Sequence, residues 1–583
     1  MLPDRNRPDE ITLLAVVRRR LDWMGRLAHQ RGTIYLICIA IGVYGVLLRF
    51  PGLGRSLWLD EAWVANSVAS RSLAGMFYYD AWLQSSPPLF LLLVRAWVGA
   101  FGLTNIALRA VPLLMGLGAA LSMLLLCRRI FLRVYALLAW TLFVLSPVAI
   151  EYSRTLKQYS SELAASTTIL LACTLYIQTP TLRRFWMLAA TVAASLLAGY
   201  GVAFVLPGIM LMMCLSPVRT TTPSKPKALM SSRLGRAVIL AAISGGTLAV
   251  EYATFIRPNS PAALRTGWAK RARKNTGESF ARVAASESYD MLQELPLNHL
   301  LRKRNPLLAS AGVTIVVGLA LAWLRFRRGR RKWFELQVVC LTPFLLLVVC
   351  EWLTWYPFTD RTTLFALPFL IVLLLSGFQL ASLWALERAR HWARPSLEVL
   401  LLCAIVVTAF GGSRTSWSDS SVPMEDAARA VSFLHAHVQA EDFLWVHASC
   451  SEVFKLYARI GKWWDAPAHY GHTGWPCCPR GIANTADTSS ESLVRNDFGG
   501  ALPVEFSGKV WLLYTTRFWH WYEMADEPHI MRTLLVQRGC VELPEPPFHN
   551  IAVSSFDCKK RVPLLGQGRA MQSAAAGDTP MPR

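Results

Sequence analysis

The sequence is poor in charge. Only 17% of its 583 residues are Asp, Glu, Lys or Arg, against about 25% in an average soluble domain. Acids are scarcest, 37 against 60 Lys and Arg, and lysine supplies just 12 of those bases. With 54% apolar residues and a mean hydropathy of +0.35, the composition excludes a soluble globule, a disordered chain and a coiled coil. Glycine (36) and proline (32) are present in ordinary proportion, which excludes a fibrous repeat. Twelve cysteines are too few for a disulfide-built miniprotein of this length. No internal repeat stands out, and neither a dinucleotide fingerprint nor a phosphate-cradling glycine loop is present. No small-residue cleavage site follows the first apolar run, where Pro51-Gly52-Leu53-Gly54-Arg55 stands, so that run reads as an uncleaved helix.

What is present is a net charge of +23, unevenly placed. Residues 412–583 carry −2 and residues 1–411 carry +25. The excess bases lie between long apolar runs, as expected where Lys and Arg are retained on the cytoplasmic side of a membrane. No folded basic face with interleaved aromatics is visible, so a nucleic-acid partner is not expected.

Apolar runs long enough to cross about 30 Å of hydrocarbon occur near 33–50, 105–127, 133–150, 161–178, 185–200, 201–216, 237–256, 306–324, 334–352, 364–386 and 396–411. They predict a polytopic α-helical membrane protein with about eleven transmembrane helices. The boundary within 185–216 is soft, with Gly199, Gly201 and Pro207 marking a turn. The run 88–101 is short and carries Arg95, so it reads as interfacial. The N-terminus (residues 1–32), with Arg5, Arg7, Arg18–Arg20, Arg26 and Arg31, is expected inside. The clusters Arg128/Arg129/Arg133, Arg183/Arg184, Lys225/Lys227/Arg233/Arg236, Arg325–Lys332 and Arg388/Arg390/Arg394 then also face inside. Loops 51–104, 151–160, 257–305 and 351–363 and the chain after 412 face outside. Loop 257–305 resists the rule, with ten bases and four acids. It is either a solvated basic loop or one that needs positive charge for an anionic ligand.

Residues 412–562 read as a soluble α/β domain. Asp442–His447, Lys509–Thr515 and Asn550–Ser555 have strand character, and Met424–Val438, Ser451–Ile460 and His529–Arg538 have helical spacing. Residues 563–583 read as a disordered tail. Five cysteines fall in this part, and an oxidising compartment allows Cys540 and Cys558 to pair across the last two strands. His469, His472, Cys477 and Cys478 are metal-like by type but match no zinc spacing. A pinned loop is the simpler reading, and metal dependence stays open.

The chemistry concentrates in Arg55–Arg71, RSLWLDEAWVANSVASR. Asp60 and Glu61 are adjacent just after the first run, beside Trp58 and Trp63, which favour the membrane–water boundary. One reading is that Asp60 caps the following helix. The other is a general base that takes a proton from a weak acid such as an alcohol. Residue types leave the two level. Glu251, ending an apolar run, is an intramembrane acid and so a functional candidate, unless Arg257 pairs with it. Asp360 and Arg361 open the tenth run, either as a headgroup-level ion pair or as part of a site.

Downstream of the acid pair come Ser86-Pro87-Pro88-Leu89, then Gly102-Leu103-Thr104-Asn105-Ile106-Ala107-Leu108-Arg109-Ala110-Val111-Pro112. Ser146-Pro147 and Glu151-Tyr152-Ser153-Arg154-Thr155-Leu156-Lys157-Gln158-Tyr159 follow. This series resembles the GT-C membrane glycosyltransferases, in particular protein O-mannosyltransferases, aminoarabinose transferases and related lipopolysaccharide sugar transferases. The resemblance covers residues 30–215 by motif and 216–411 by hydropathy. It departs from the aminoarabinose transferases at Ser85-Ser86-Pro87, where those carry Glu-Lys-Pro.

The resemblance implies a sugar donor on a polyprenyl phosphate in the outer leaflet and an acceptor hydroxyl on a glycan, lipid or protein. Asp60 would deprotonate the acceptor and Glu61 would orient it or touch the acceptor. The anomeric carbon would be inverted as the lipid phosphate leaves. Cations for that phosphate would come from Arg154, Lys157, Arg361 and the basic loop Lys270, Arg271, Arg273 and Lys274, with Tyr159 beside them. The alternatives are a transporter or flippase of lipid-linked glycans, or a polymerase or ligase. No cofactor is required by the sequence. The high Arg:Lys ratio, with 12 lysines among 60 bases, points to a GC-rich bacterium and hence to its inner membrane.

Overall fold

The computed structural model describes residues 31–79, 86–215, 233–259, 279–293, 304–329, 331–353, 355–356, 360–387, 397, 400–408, 424–471, 490–516 and 527–559. The chain forms two compact units, Met1–Arg55 with Ser67–Val422 and Ser56–Asn66 with Pro423–Arg583.

The helices, in chain order, are α1 (Arg31–Leu47), α2 (Leu59–Val68), α3 (Leu73–Phe77), α4 (Pro88–Phe101), α5 (Asn105–Ile130), α6 (Arg133–Val144), α7 (Pro147–Ser153), α8 (Tyr159–Gln178) and α9 (Leu182–Ala198). They continue with α10 (Leu206–Leu215), α11 (Arg233–Glu251), α12 (Phe280–Gln293), α13 (Arg304–Arg327), α14 (Lys332–Trp352), α15 (Asp360–Thr363) and α16 (Leu367–Leu386). Among the described residues, six helical stretches are long and apolar enough to cross a membrane. A seventh arises if α6 and α7, bent by 52° at Ser146-Pro147, count as one broken span.

Among the described residues, six or seven of the eleven expected spans meet this test. The first run forms only the 17-residue α1. Residues 185–216 break into α9, a 3-10 turn at Tyr200–Val205 and α10. The break is closely packed, and only glycine fits at two of its positions, since a Cβ on Gly199 or Gly201 would run into Glu162 or the Phe365 ring. The last run is described only at 397 and 400–408.

Burial separates central from peripheral helices. α8 and the stretch through α16 are 78% and 83% buried over their most apolar windows, whereas α11 and α13 are 17% and 11% buried. The peripheral helices expose Val250, Val313 and Val316, a surface that suits lipid. At the α13–α16 crossing two glycines let the backbones touch. A Cβ on Gly318 would lie 2.5 Å from the Gly377 Cα, and one on Gly377 would lie 2.5 Å from the Thr314 carbonyl oxygen.

The second unit has α17 (Ala427–His437), β1 (Phe443–Val446), α18 (Ser451–Ile460), β2 (Ala468–Tyr470), α19 (Ser490–Ala501), β3 (Lys509–Thr515), α20 (Glu527–Gln537), β4 (Val541–Leu543) and β5 (Ile551–Asp557). The sheet order is β2-β1-β3-β5-β4. β1 runs parallel to β2 and β3, with Leu444 opposite Ala468 and Trp511, while β5 is antiparallel to β3 and β4. Strand alternation sends Phe443, Trp445, Val510 and Leu512 to the face covered by Val494 and Phe498 of α19 and Met531 and Leu535 of α20. Trp511 points the other way and meets Phe433 of α17. Cys540 and Cys558 form a disulfide at the β4–β5 edge. Cys450 is a free, buried thiol.

Candidate active site

In the first unit, three buried arginines organise the chain as it leaves α1. Arg49 donates to the carbonyls of Gly45 (2.7 Å) and Val144 (3.0 Å) and to Ser153 Oγ (3.2 Å). Arg109, in α5, donates to the carbonyls of Leu53 (3.0 Å) and Arg55 (2.5 Å). Arg154 donates to the Pro51 carbonyl at 3.1 Å and the Leu48 carbonyl at 3.4 Å, and pairs with Glu151 at 2.6 Å. Glu151 also holds Arg55 in an ion pair. Residues 48–55 lack regular structure, so their carbonyls need donors once buried. The planar guanidinium, with five N–H groups, supplies several at once.

This loop leads directly to α2. Leu59 is the first helical residue and the Trp58 carbonyl accepts from Glu61 N–H (3.0 Å) and Ala62 N–H (2.9 Å). Asp60 and Glu61 therefore lie inside the first turn, where the helix dipole favours negative charge, and Asp60 does not occupy the cap position. Asp60 is half-buried and Glu61 fully buried. At the far end, Arg95 of α4 donates to the carbonyls of Val68 (3.0 Å) and Ser70 (2.8 Å). The arginine that marked α4 as interfacial thus closes the C-terminus of α2, the favourable end for a cation.

The remaining sequence candidates fall as follows. Lys157 is buried beyond α7, and Tyr159 opens α8 with its ring edge-on to Tyr152 at 4.9 Å. Arg361 lies half-buried in α15, which Asp360 opens. Arg154 is committed through both terminal nitrogens to protein partners. Glu251 ends α11, just before a π-helical turn at Tyr252–Ile256. It is fully buried, and neither carboxylate oxygen has a hydrogen-bond partner among the described residues. The expected pair with Arg257 is not made, because Arg257 points to the exposed surface. Lys270, Arg271, Arg273 and Lys274 lie outside the described residues, as do His472, Cys477 and Cys478. Among the described residues no group of three His, Cys, Asp or Glu side chains is placed to hold a metal ion.

Two polar arrangements escaped the sequence reading. Glu162, in the first turn of α8, is buried and accepts the backbone N–H groups of Tyr200 and Gly201. An acid opening a helix is so common that its burial gives no local signal. In the second unit His447 Nε2 meets Glu527 Oε2 at 2.5 Å and His447 Nδ1 meets Ser449 Oγ at 2.7 Å. The Ser449 N–H also points at Nδ1 (3.2 Å), so Nδ1 accepts and Nε2 donates to Glu527. The grouping has the residue types of a hydrolytic triad, but all three side chains are almost wholly buried. It joins the end of β1 to the start of α20.

No protein-family model and no curated protein matches the sequence. Solved structures do. The chain is similar to ArnT from Cupriavidus metallidurans in the apo state, at 11% identity and TM-score 0.51, covering 90% of this chain and 98% of that one. ArnT from the same organism bound to undecaprenyl phosphate aligns at 13% identity and TM-score 0.49, with 90% and 98% coverage. The archaeal oligosaccharyltransferase AglB from Archaeoglobus fulgidus, in complex with an inhibitory peptide and a dolichol-phosphate, aligns at 13% identity and TM-score 0.49, covering 88% and 74%. The likeness to apo ArnT covers 90% of this chain and 98% of that one, and it shows that the two share a fold.

Proposed function

We propose that the protein is an inverting glycosyltransferase that moves a sugar from a polyprenyl-phosphate donor to an acceptor hydroxyl at the outer face of the membrane. The observation that carries this reading is the Asp60–Glu61 pair in the first turn of α2. It directly follows an arginine-braced loop at the exit of the first apolar helix, in a chain of GT-C fold. Asp60, half-exposed, takes the acceptor proton as a general base. The acceptor oxygen then bonds to the anomeric carbon from the side opposite the lipid phosphate. The anomeric C–O bond breaks, and its electron pair leaves with the phosphate. Glu61, buried beside Asp60, orients the base. Lys157 and Arg361, with the basic loop at 270–274, balance the charge growing on the phosphate. Arg154 contributes by bracing the loop that leads to Asp60. Glu251 is a candidate contact for a donor or acceptor group, because it is a buried intramembrane acid whose carboxylate oxygens have no hydrogen-bond partner among the described residues.

The test is complementation of membranes lacking the gene, with surface glycolipids and glycoproteins profiled by mass spectrometry. Wild type is expected to restore a sugar-sized mass increment. Asp60→Asn at equal expression is expected to lower its rate of formation by about 10²–10⁴-fold. Full restoration by Asp60→Asn removes the general-base role.

A further inference from the structure

The segment between the two halves of the first unit, Ser56–Asn66, folds as part of the C-terminal unit. It is held at both ends by one helix, α18. At the near end the Tyr457 phenol oxygen accepts the Leu57 N–H at 2.6 Å and a longer bond from Ser56 Oγ at 3.4 Å. Ser56 Oγ in turn accepts the N–H of Ala428, in the first turn of α17, at 2.9 Å. At the far end Asn66 Nδ2 donates to both the backbone oxygen (2.8 Å) and the carboxylate (3.0 Å) of Glu452. Lys455 neutralises that carboxylate at 2.8 Å. Leu57, Ala62 and Ala65 are fully buried, as is Glu452, and Asn66 and Tyr457 are nearly so.

Asp60 and Glu61 lie between these two brackets. A 10-residue helix is too short to hold itself in water, and nothing in its own composition demands partners some 400 positions away, at the separations of 386 and 401 seen here. We infer that α18 is the positioning device for the Asp60 carboxylate, with Tyr457 and Glu452 as positioning residues that act through Leu57 and Asn66. The role of the C-terminal α/β unit is then to set the geometry of the base. This rests on the general-base reading of Asp60. A base must stand within hydrogen-bond reach of the proton it takes, and a misplacement of about 1 Å can cost on the order of 100-fold in rate.

The experiment uses the full chain in membranes and reads two quantities. One is amide exchange by mass spectrometry in the peptide covering residues 56–66. The other is the rate at which the sugar increment appears in the complementation assay. Tyr457→Phe keeps the ring and removes the acceptor, and Asn66→Ala removes the donor at the other end. Each is expected to speed exchange in this peptide and slow transfer, both by about tenfold or more. Glu452→Gln retains an oxygen acceptor for Asn66 and is expected to match wild type in both readouts, where Glu452→Leu fails in both. Protection of β1, β3 and β5 is expected to stay at the wild-type level in every variant. Faster exchange with undiminished transfer overturns the inference, and so does unchanged exchange in both bracket variants. Asp60→Asn separates the two readings. It is expected to lose transfer with wild-type exchange. If it keeps transfer, the general-base reading fails and this inference with it.

Discussion

Arg109 and Arg361 illustrate how one residue type serves two ends. Arg109 is fully buried and its guanidinium holds the carbonyls of Leu53 and Arg55. Removing it strands buried acceptors at about 1–3 kcal/mol each. Arg109→Met is therefore expected to lower the thermal midpoint in detergent and to slow transfer with it. Arg109→Lys is expected to recover part of each, because both bonds come from the single Nη1 atom and an ammonium has three donors to offer, though on a shorter side chain. Arg361, only half-buried in α15, is proposed to face the phosphate. Arg361→Gln is expected to slow transfer and leave the midpoint within about 0.5 kcal/mol of wild-type stability. Two midpoints and two rates decide both cases. Cys450 is the opposite kind of residue, buried and inert. Burial first, and then the Glu425 carboxylate nearby, push its thiol well above the ordinary range, against a small opposing effect of Ser449. A raised thiol holds less reactive thiolate at any given pH. Iodoacetamide at pH 8 is expected to miss Cys450 in the native chain and to label it after denaturation, as peptide mapping checks.

At the scale of elements, the helix crossing and the sheet edge make separate predictions. α13 and α16 approach through Gly318 and Gly377 until backbone meets backbone. Gly377→Val has no room at that crossing, and the overpacking is expected to cost about 1–3 kcal/mol. The readout is a lower detergent thermal midpoint. The disulfide Cys540–Cys558 closes a loop of 18 residues around β4 and β5. Its removal in Cys540→Ser/Cys558→Ser is expected to cost the C-terminal unit about 3 kcal/mol by loop entropy, measured as earlier proteolysis of the unit in urea. Element identities were largely legible beforehand. Strand β3 falls on the same residues, Lys509–Thr515, that its apolar β-branched and aromatic run marked, and α18 on Ser451–Ile460. β2 and β4 escaped because each spans three residues at a sheet edge, too short for alternation to register.

At the scale of the whole molecule, the proposed orientation places the C-terminal unit outside. Among the described residues, Val504 and Trp464 are its most exposed large apolar side chains, at 90% and 73%. A Val504→Cys variant is expected to react with a membrane-impermeant maleimide on intact spheroplasts, and labelling that requires lysis refutes the orientation. The sequence by itself determined the membrane-spanning character, the presence of strands near the C-terminus, and the acid pair at the exit of the first apolar run. Each is written in local pattern: apolar run length, residue alternation, and adjacency along the chain. Tertiary structure alone decided which residues hold the segments on either side of the acid pair. Arg154, expected on a phosphate, braces carbonyls of the loop before Asp60, since a guanidinium's partner depends on which distant carbonyls folding leaves unpaired. Residues 56–66, read as part of a membrane loop, fold with the α/β unit through Tyr457 and Glu452. Hydrogen bonds across some 400 positions have no periodicity to announce them, so only the folded chain could place the carboxylates.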